Sequence, residues 1–264
     1  MVILALAILG LAFGSFINAL TWRLHKKKDW VKARSQCTHC GHTLHSLDLI
    51  PVVSWLALGG RCRYCKKAIS IQYPLVELAG ALVATLSYTF WPASFDDRGQ
   101  VILLGAWLIS AIGLLALVIY DFRWMLLPNK LIYPTLGIAA LGNLLFLTLT
   151  PDRLSFIRGW LLSLLIASGI FWVLYMISNG KWIGYGDVRL GLVTGTLLHS
   201  PTKSFLMIFF ASILGTFFVL PSLIKGGRSM TARLPFGPFL IVGTGIALIF
   251  GDSLINWYLG LFNF

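Results

Sequence analysis

Trp182-Ile183-Gly184-Tyr185-Gly186-Asp187-Val188-Arg189 opens an apolar run that ends at Leu198, and its reading decides what kind of protein this chain folds into. As a helix, Val188 to Leu198 alone would cover only about 17 Å at about 1.5 Å per residue, against about 30 Å for a bilayer core. A spanning helix must therefore begin near Lys181, which sets Asp187 about 9 Å inside its end. The alternative is a broken or re-entrant segment, tolerated only where it is buried or lines a wet cavity. Both geometries put a carboxylate in a water-accessible crevice beside hydrocarbon. A charge kept there at such cost is by default a functional one.

The rest of the chain has the composition of that hydrocarbon-facing protein. Of 264 residues, 58% are hydrophobic and 11% charged, which reads as a polytopic all-α membrane protein and excludes an ordinary soluble domain. Apolar runs at 1–24, 74–91, 101–120, 128–149, 156–177, 182–198, 205–224 and 235–250 give about eight candidate transmembrane helices. The first run lacks a basic stretch before it and an A-x-A-like site after it, so it is expected to be a retained span. The division expected is a first helix at 1–24, a polar insert at 25–73, and about seven helices over 74–264. No internal repeat is evident.

The net charge of +12 does not require a nucleic-acid partner, because cytoplasmic loops of membrane proteins concentrate Lys and Arg. If the first span runs outside to inside, one set of loops holds the basic residues of 23–34 and 61–67 with Arg123, Lys130, Lys181, Arg189, Lys225, Arg228 and Arg233. The opposite set holds only Arg98, Arg153, Arg158 and Lys203 of the 21. That bias makes the first set cytoplasmic. The insert, Asp121 and Asp187 are then all expected on the cytoplasmic side.

Asp121, in Tyr120-Asp121-Phe122-Arg123-Trp124-Met125-Leu126-Leu127-Pro128, ends another apolar run. Taken with Asp187 it suggests an aspartyl protease pair. Two carboxylates a few ångström apart share a proton, so that one acts as base on water and the other donates to the scissile carbonyl. Ordinary readings stand beside this one: Asp121 as an interfacial partner of Arg123 or Lys130, and Asp187 as a helix N-cap. Gly184 and Gly186 either let a substrate strand approach the backbone or form a plain turn before a helix. Rival chemistries lack their motifs. There is no H-E-x-x-H and no G-x-S-x-G, and Gly243-Thr244-Gly245 lacks the third glycine of a dinucleotide loop.

The insert carries Cys37-Thr38-His39-Cys40 and Cys62-Arg63-Tyr64-Cys65, a C-x2-C-x21-C-x2-C spacing close to that of zinc-ribbon sites. Four thiolates would close a tetrahedron, which makes the zinc structural; a disulfide pair or a redox motif is the alternative. His39, His42 and His45 are either substitute ligands or a solvated cluster. A module this short and polar needs the metal to fold. Glu77, the one glutamate, either pairs with Lys66 or Lys67 or lines the same crevice as the aspartates. Asn18, inside the first span, fits helix–helix hydrogen bonding beside small residues.

These residues together resemble the bacterial type IV prepilin peptidase family, the bifunctional leader peptidase/N-methyltransferases. The resemblance runs through Gly14-Ser15-Phe16-Ile17-Asn18, both cysteine pairs, Ile50-Pro51, Ser54-Trp55, Gly60-Arg61-Cys62, Tyr73-Pro74-Leu75-Val76-Glu77, Asp121 to Pro128, Gly184 to Asp187, and Pro235-Phe236-Gly237-Pro238-Phe239. It implies a multi-pass protein of the bacterial cytoplasmic membrane that removes the leader of prepilins or pseudopilins after a glycine, on the cytoplasmic side. It further implies N-methylation of the new N-terminus from S-adenosylmethionine. Asp121 and Asp187 match the family's catalytic aspartates, with Gly184, Gly186, Pro128, Asn18 and Glu77 expected to support the site or contact substrate. Arg123 and Asn129 depart from the family's commonest pattern, which has an acid at each position. A cation transporter with midspan carboxylates and a non-enzymatic pilus-assembly scaffold are the competing functions.

Overall fold

The computed structural model describes residues 1–29, 34–224 and 234–262, the side chains of Ser222 and Leu223 excepted. Four of the loop cations counted above, Lys32, Lys225, Arg228 and Arg233, lie outside the described residues. The architecture is all-α, with no strand among the described residues beyond two isolated bridges, Gln36 with Thr43 and Arg61 with Ala68. The chain divides into two compact units, Met1–Thr89 and Phe90–Phe264.

The first unit is built on two long helices, α1 (Val2–His25) and α3 (Gln72–Thr89), with the short α2 (Val53–Ala57) in the insert between them. Helices in lipid gain little from burying apolar surface against each other, so close backbone approach decides their pairing. Gly10-Leu11-Ala12-Phe13-Gly14 provides it. A Cβ on Gly10 would stand 2.5 Å from the Gly80 carbonyl oxygen, and one on Gly14 2.5 Å from the Glu77 Cα. Asn18, one turn further along, is buried. It donates to the Gly14 and Tyr73 carbonyls at 3.3 and 3.1 Å and accepts from the Gln72 amide at 3.2 Å, which fixes the start of α3 against α1.

The second unit holds α4 (Arg98–Trp124), α5 (Asn129–Leu149), α6 (Arg153–Ser178), α7 (Tyr185–Leu198), α8 (Pro201–Ile224) and α9 (Gly237–Gly260). Asp97 and Asp152 start α4 and α6 by accepting the N–H groups of Gly99 and Ser155. Met125, Asn179 and His199 end α4, α6 and α7 in the left-handed conformation. Sequential helices pair as hairpins, and α7 lies among α5, α6, α8 and α9.

Among the described residues six helices, α1, α4, α5, α6, α8 and α9, are long and apolar enough to cross a membrane. The remaining two of the eight apolar runs form α3, of 18 residues, and α7, of 14. Of the two geometries open for the 182–198 run, the spanning helix that begins near Lys181 is not the one formed. Asn179 and Gly180 both adopt positive φ and turn the chain out of α6, and Gly184, extended at ψ 146°, starts α7 only at Tyr185. Fourteen residues cover about 21 Å, so α7 is short of a bilayer core. Nine of its residues are buried, and other helices enclose it in place of lipid.

The enclosure depends on a second small-residue pair, Gly191-Leu192-Val193-Thr194-Gly195. A Cβ on Gly195 would meet the Ser163 carbonyl and the Ala167 methyl at 3.0 Å, and Gly191 faces the backbone of Ala167 and Ser168. Hydroxyl and amide side chains of α5 and α6 then bond to α7 carbonyls: Asn143 to Thr196 at 2.8 Å, Ser163 to Gly195 at 2.7 Å and Ser168 to Val188 at 2.9 Å. Gly191→Val should therefore lower the thermal midpoint in detergent, since overpacking costs about 1–3 kcal/mol. Gly105→Ala, where nothing stands within 4 Å of the added carbon, should leave it unchanged or slightly raised.

Candidate active site and metal centre

Most described aspartates have structural partners. Asp97 and Asp152 cap helices, Asp48 pairs with Arg63, and Asp252 pairs with Lys203. Asp121 differs. It lies buried in the last turns of α4, and among the described residues it forms no ion pair with Arg123 or Lys130. Arg123 is exposed and lies over the Trp124 ring. The Asp121 Oδ2 instead accepts the backbone N–H of Gly237, at the start of α9, at 3.2 Å.

Asp187 belongs to the first turn of α7, where the helix N-terminus favours negative charge. It is not the N-cap: Gly184 holds that position, and its carbonyl accepts the Asp187 N–H at 3.0 Å. Asp121 and Asp187 border the same side chain, Leu127, through Gly237 and Gly186. Leu127 ties the surrounding segments together. Its side chain packs 3.1–3.5 Å from where a Cβ would project from Gly186, and it likewise faces Gly237. The C-terminal end of α4 and the N-terminal ends of α7 and α9 thus converge on one place.

The supporting residues separate into distinct roles. Gly186 leaves room for Leu127, whereas a Cβ on Gly184 would meet Asp187 at an ordinary 3.5 Å. Pro128 precedes α5 in an extended conformation, and its carbonyl accepts the N–H groups of Leu131 and Ile132. Asn129, one of the two departures from the family pattern, accepts a hydrogen bond from Arg189, whose guanidinium also lies over the Tyr185 ring. Gly237 was not among the residues expected to serve the site. Its signal in the sequence is the pair of prolines, Pro235 and Pro238, that bracket it just before an apolar run.

Asn18 and Glu77 belong to the first unit. The Glu77 carboxylate accepts the Val52 N–H at 2.7 Å and, among the described residues, pairs with neither Lys66 nor Lys67. Val52 is itself unusual, with φ 60° and ψ −50°, and the Val53 N–H closes on the Pro51 carbonyl at 2.6 Å. This is the strained form of the three-residue turn, rare for a β-branched residue. Glu77 is therefore a clamp on the insert's turn.

The insert contains a repeat that the sequence reading missed. Around Cys37 and again around Cys62, the cysteine N–H bonds to a carbonyl five residues on, at His42 and Lys67, and the cysteine carbonyl accepts the N–H four residues on, at Gly41 and Lys66. Gly41 and Lys66 both have positive φ. The matching offset is 25 residues throughout, Gln36–Thr43 against Arg61–Ala68 included. Only the cysteines are common to the two sequences at that spacing, which is why backbone geometry reveals the repeat and side-chain identity does not.

The two turns bring all four sulfurs within 4.8 Å of one another, with Cys37 and Cys65 Sγ 3.9 Å apart. A tetrahedron with Zn–S of about 2.3 Å has an edge of about 3.8 Å, whereas a disulfide needs about 2.05 Å. The donor set therefore fits a metal such as zinc. Two of the three histidines have other contacts: the His42 ring stacks on Tyr64 at 3.7 Å, and the His45 backbone N–H bonds to Asp48. Burial pushes the Asp48 carboxyl up, but hydrogen bonds from Arg63, Tyr64 and the His45 N–H, with the Arg63 charge, hold it below the usual carboxylate range. Purified protein should contain one zinc per chain by elemental analysis. Chelation or Cys62→Ser should expose residues 34–70 to protease, and an intact, protease-resistant insert in metal-free protein would contradict this.

These features define a multi-pass α-helical membrane protein with two aspartates at converging helix ends and a four-cysteine insert. Residues 8–91 match the Bacterial Peptidase A24 N-terminal domain, and residues 108–220 match the Type IV leader peptidase family. The prepilin leader peptidase/N-methyltransferase of Pseudomonas aeruginosa is 32% identical over 288 residues, covering 99% of this chain and 95% of that protein. The proteins of the same description from Aeromonas hydrophila and Burkholderia pseudomallei are 34% and 33% identical, covering 86% and 92% of this chain and 74% and 84% of theirs. This chain belongs to the type IV leader peptidase family. No solved structure matches it.

Proposed function

We propose that the protein is a membrane aspartyl endopeptidase that removes the leader of type IV prepilins or pseudopilins after a glycine, with Asp121 and Asp187 as its catalytic pair. The observation that carries this reading is the meeting of the α4 end with the α7 and α9 starts around Leu127, which brings Asp121 and Asp187 to one place with neither in an ion pair among the described residues. The excess of basic residues in one set of loops supports a cytoplasmic position for the pair and for the insert. The protein is then an inner-membrane enzyme whose substrate's apolar segment enters between helices from the bilayer.

In this mechanism the pair shares one proton. The ionised carboxylate takes a proton from a water positioned against the scissile carbonyl, and the protonated partner donates to the carbonyl oxygen. The tetrahedral intermediate collapses with proton return to the leaving amine, which releases the leader and the mature N-terminus. Pro128, Gly184 and Gly186 support this site by shaping the α4–α5 link and the start of α7.

N-methylation of that new N-terminus follows from the names of the relatives, which join both activities in one protein. S-adenosylmethionine would supply an electrophilic methyl group to the amine. Gly243-Thr244-Gly245 does not fit its cradle, since the segment lies inside α9 with the buried Thr244 hydroxyl bonded to the Leu240 carbonyl. No transfer step is assigned to it.

Asp121→Asn and Asp187→Asn should each reduce cleavage of a co-expressed prepilin by roughly 10²–10⁴-fold while the protein remains folded in the membrane. The mass of the mature pilin N-terminus reads cleavage and methylation together. Full cleavage by either variant would overturn the assignment, and a transporter or scaffold would process no leader at all.

A further inference from the structure

Resting on the peptidase reading, we infer that Gly237 is a positioning residue for the reaction: its N–H pins one oxygen of the Asp121 carboxylate and leaves the other to address water. The first N–H groups of any helix lack partners within it. At the start of α9, Pro238 has no N–H, and those of Phe239 and Leu240 turn back to the Phe236 carbonyl at 3.1 Å. Phe236 supplies no side-chain cap. The N–H of Gly237 is therefore the one left to seek an acceptor elsewhere, and it finds the Asp121 Oδ2, 116 residues away in sequence. Asp121 serves α9 as a cap supplied from another helix.

The glycine is required by space and not by backbone conformation, since its φ is not positive. A Cβ at this position would stand 2.8 Å from the Asp121 Oδ2, with Leu190 Cδ2 at 3.4 Å and Leu127 Cδ2 at 3.5 Å next. The carboxylate oxygen is the one atom inside ordinary contact distance, so it is the carboxylate that must turn or shift. Such a displacement, though small, acts on the atom that must hold the attacking water. Misplacement of a reacting group by about 1 Å can cost about 10²-fold in rate.

The test is steady-state cleavage of a purified prepilin by the full-length enzyme in lipid nanodiscs, comparing wild type, Gly237→Ala and Gly251→Ala. Gly251 lies further along α9, and the atoms nearest its added carbon belong to the Lys203 side chain, from 3.1 Å. Gly237→Ala should lose about 10²-fold in kcat with KM within about twofold, and its pH–rate profile should be displaced from that of wild type. Gly251→Ala should keep both kcat and profile. If Gly237→Ala does not fold, replacing the amide between Phe236 and Gly237 by an ester, which removes the N–H without adding a carbon, should show the same displaced profile. Unchanged kcat and profile in a folded Gly237 variant, or a change confined to KM, would overturn the inference. Failure of wild type to cleave would instead reject the peptidase reading beneath it.

Discussion

Keeping a carboxylate inside a helix bundle is the constraint on which the second unit depends. Asp121 is buried and, among the described residues, forms no ion pair, and a bare charge in such a place is strongly disfavoured. The bundle answers with helix termini in place of basic side chains. A helix N-terminus offers unpaired N–H groups and a favourable dipole without bringing a competing ion pair that would lock the acid in one charge state. Placing such ends near α4 fixes where α7 and α9 must begin. It also explains why α7 is short: its first turn has to open at the depth of the Asp121 carboxylate.

A short helix that cannot reach across a membrane must be wrapped by others. The enclosure of α7 follows from small residues and from side chains that reach its carbonyls, above all Gly191, Gly195, Ser163, Ser168 and Asn143. The same device joins α1 to α3 through Gly10 and Gly14. In both places backbone meets backbone, which rewards shape and backbone polarity where apolar burial has little to offer. The insert has a different solution to a similar deficit. Lacking a core, it gathers two near-identical turns around four thiols and fastens them with Asp48 to Arg63 and Glu77 to Val52.

Much of this was legible in the sequence because it is written in local chemistry. Apolar runs announce helices, the cysteine spacing announces a metal site, and carboxylates beside hydrocarbon announce themselves by their cost. What stayed hidden depends on which segments meet. The partner of Asp121 is a backbone N–H, which no side-chain pattern encodes, and Glu77 turned out to hold a strained turn and not Lys66 or Lys67. The sequence left the start of α7 open between a helix from near Lys181 and a broken segment, because length alone does not reveal that Asn179 and Gly180 turn the chain and Gly184 caps the helix. The close approach of Gly10 and Gly14 to α3 was not read from the sequence, because it depends on which helix lies opposite.

The central claim is that the two acids act on one tetrahedral carbon. It is tested most directly by an experimental structure of the enzyme in a lipid environment with a leader-junction peptide in which the scissile amide is replaced by a hydroxyl-bearing isostere. The account predicts that hydroxyl between the carboxylates of Asp121 and Asp187, within hydrogen-bond distance of both, at about 2.5–3.0 Å. An isostere seated elsewhere, or bound to only one of the two acids with the other turned away, would contradict it.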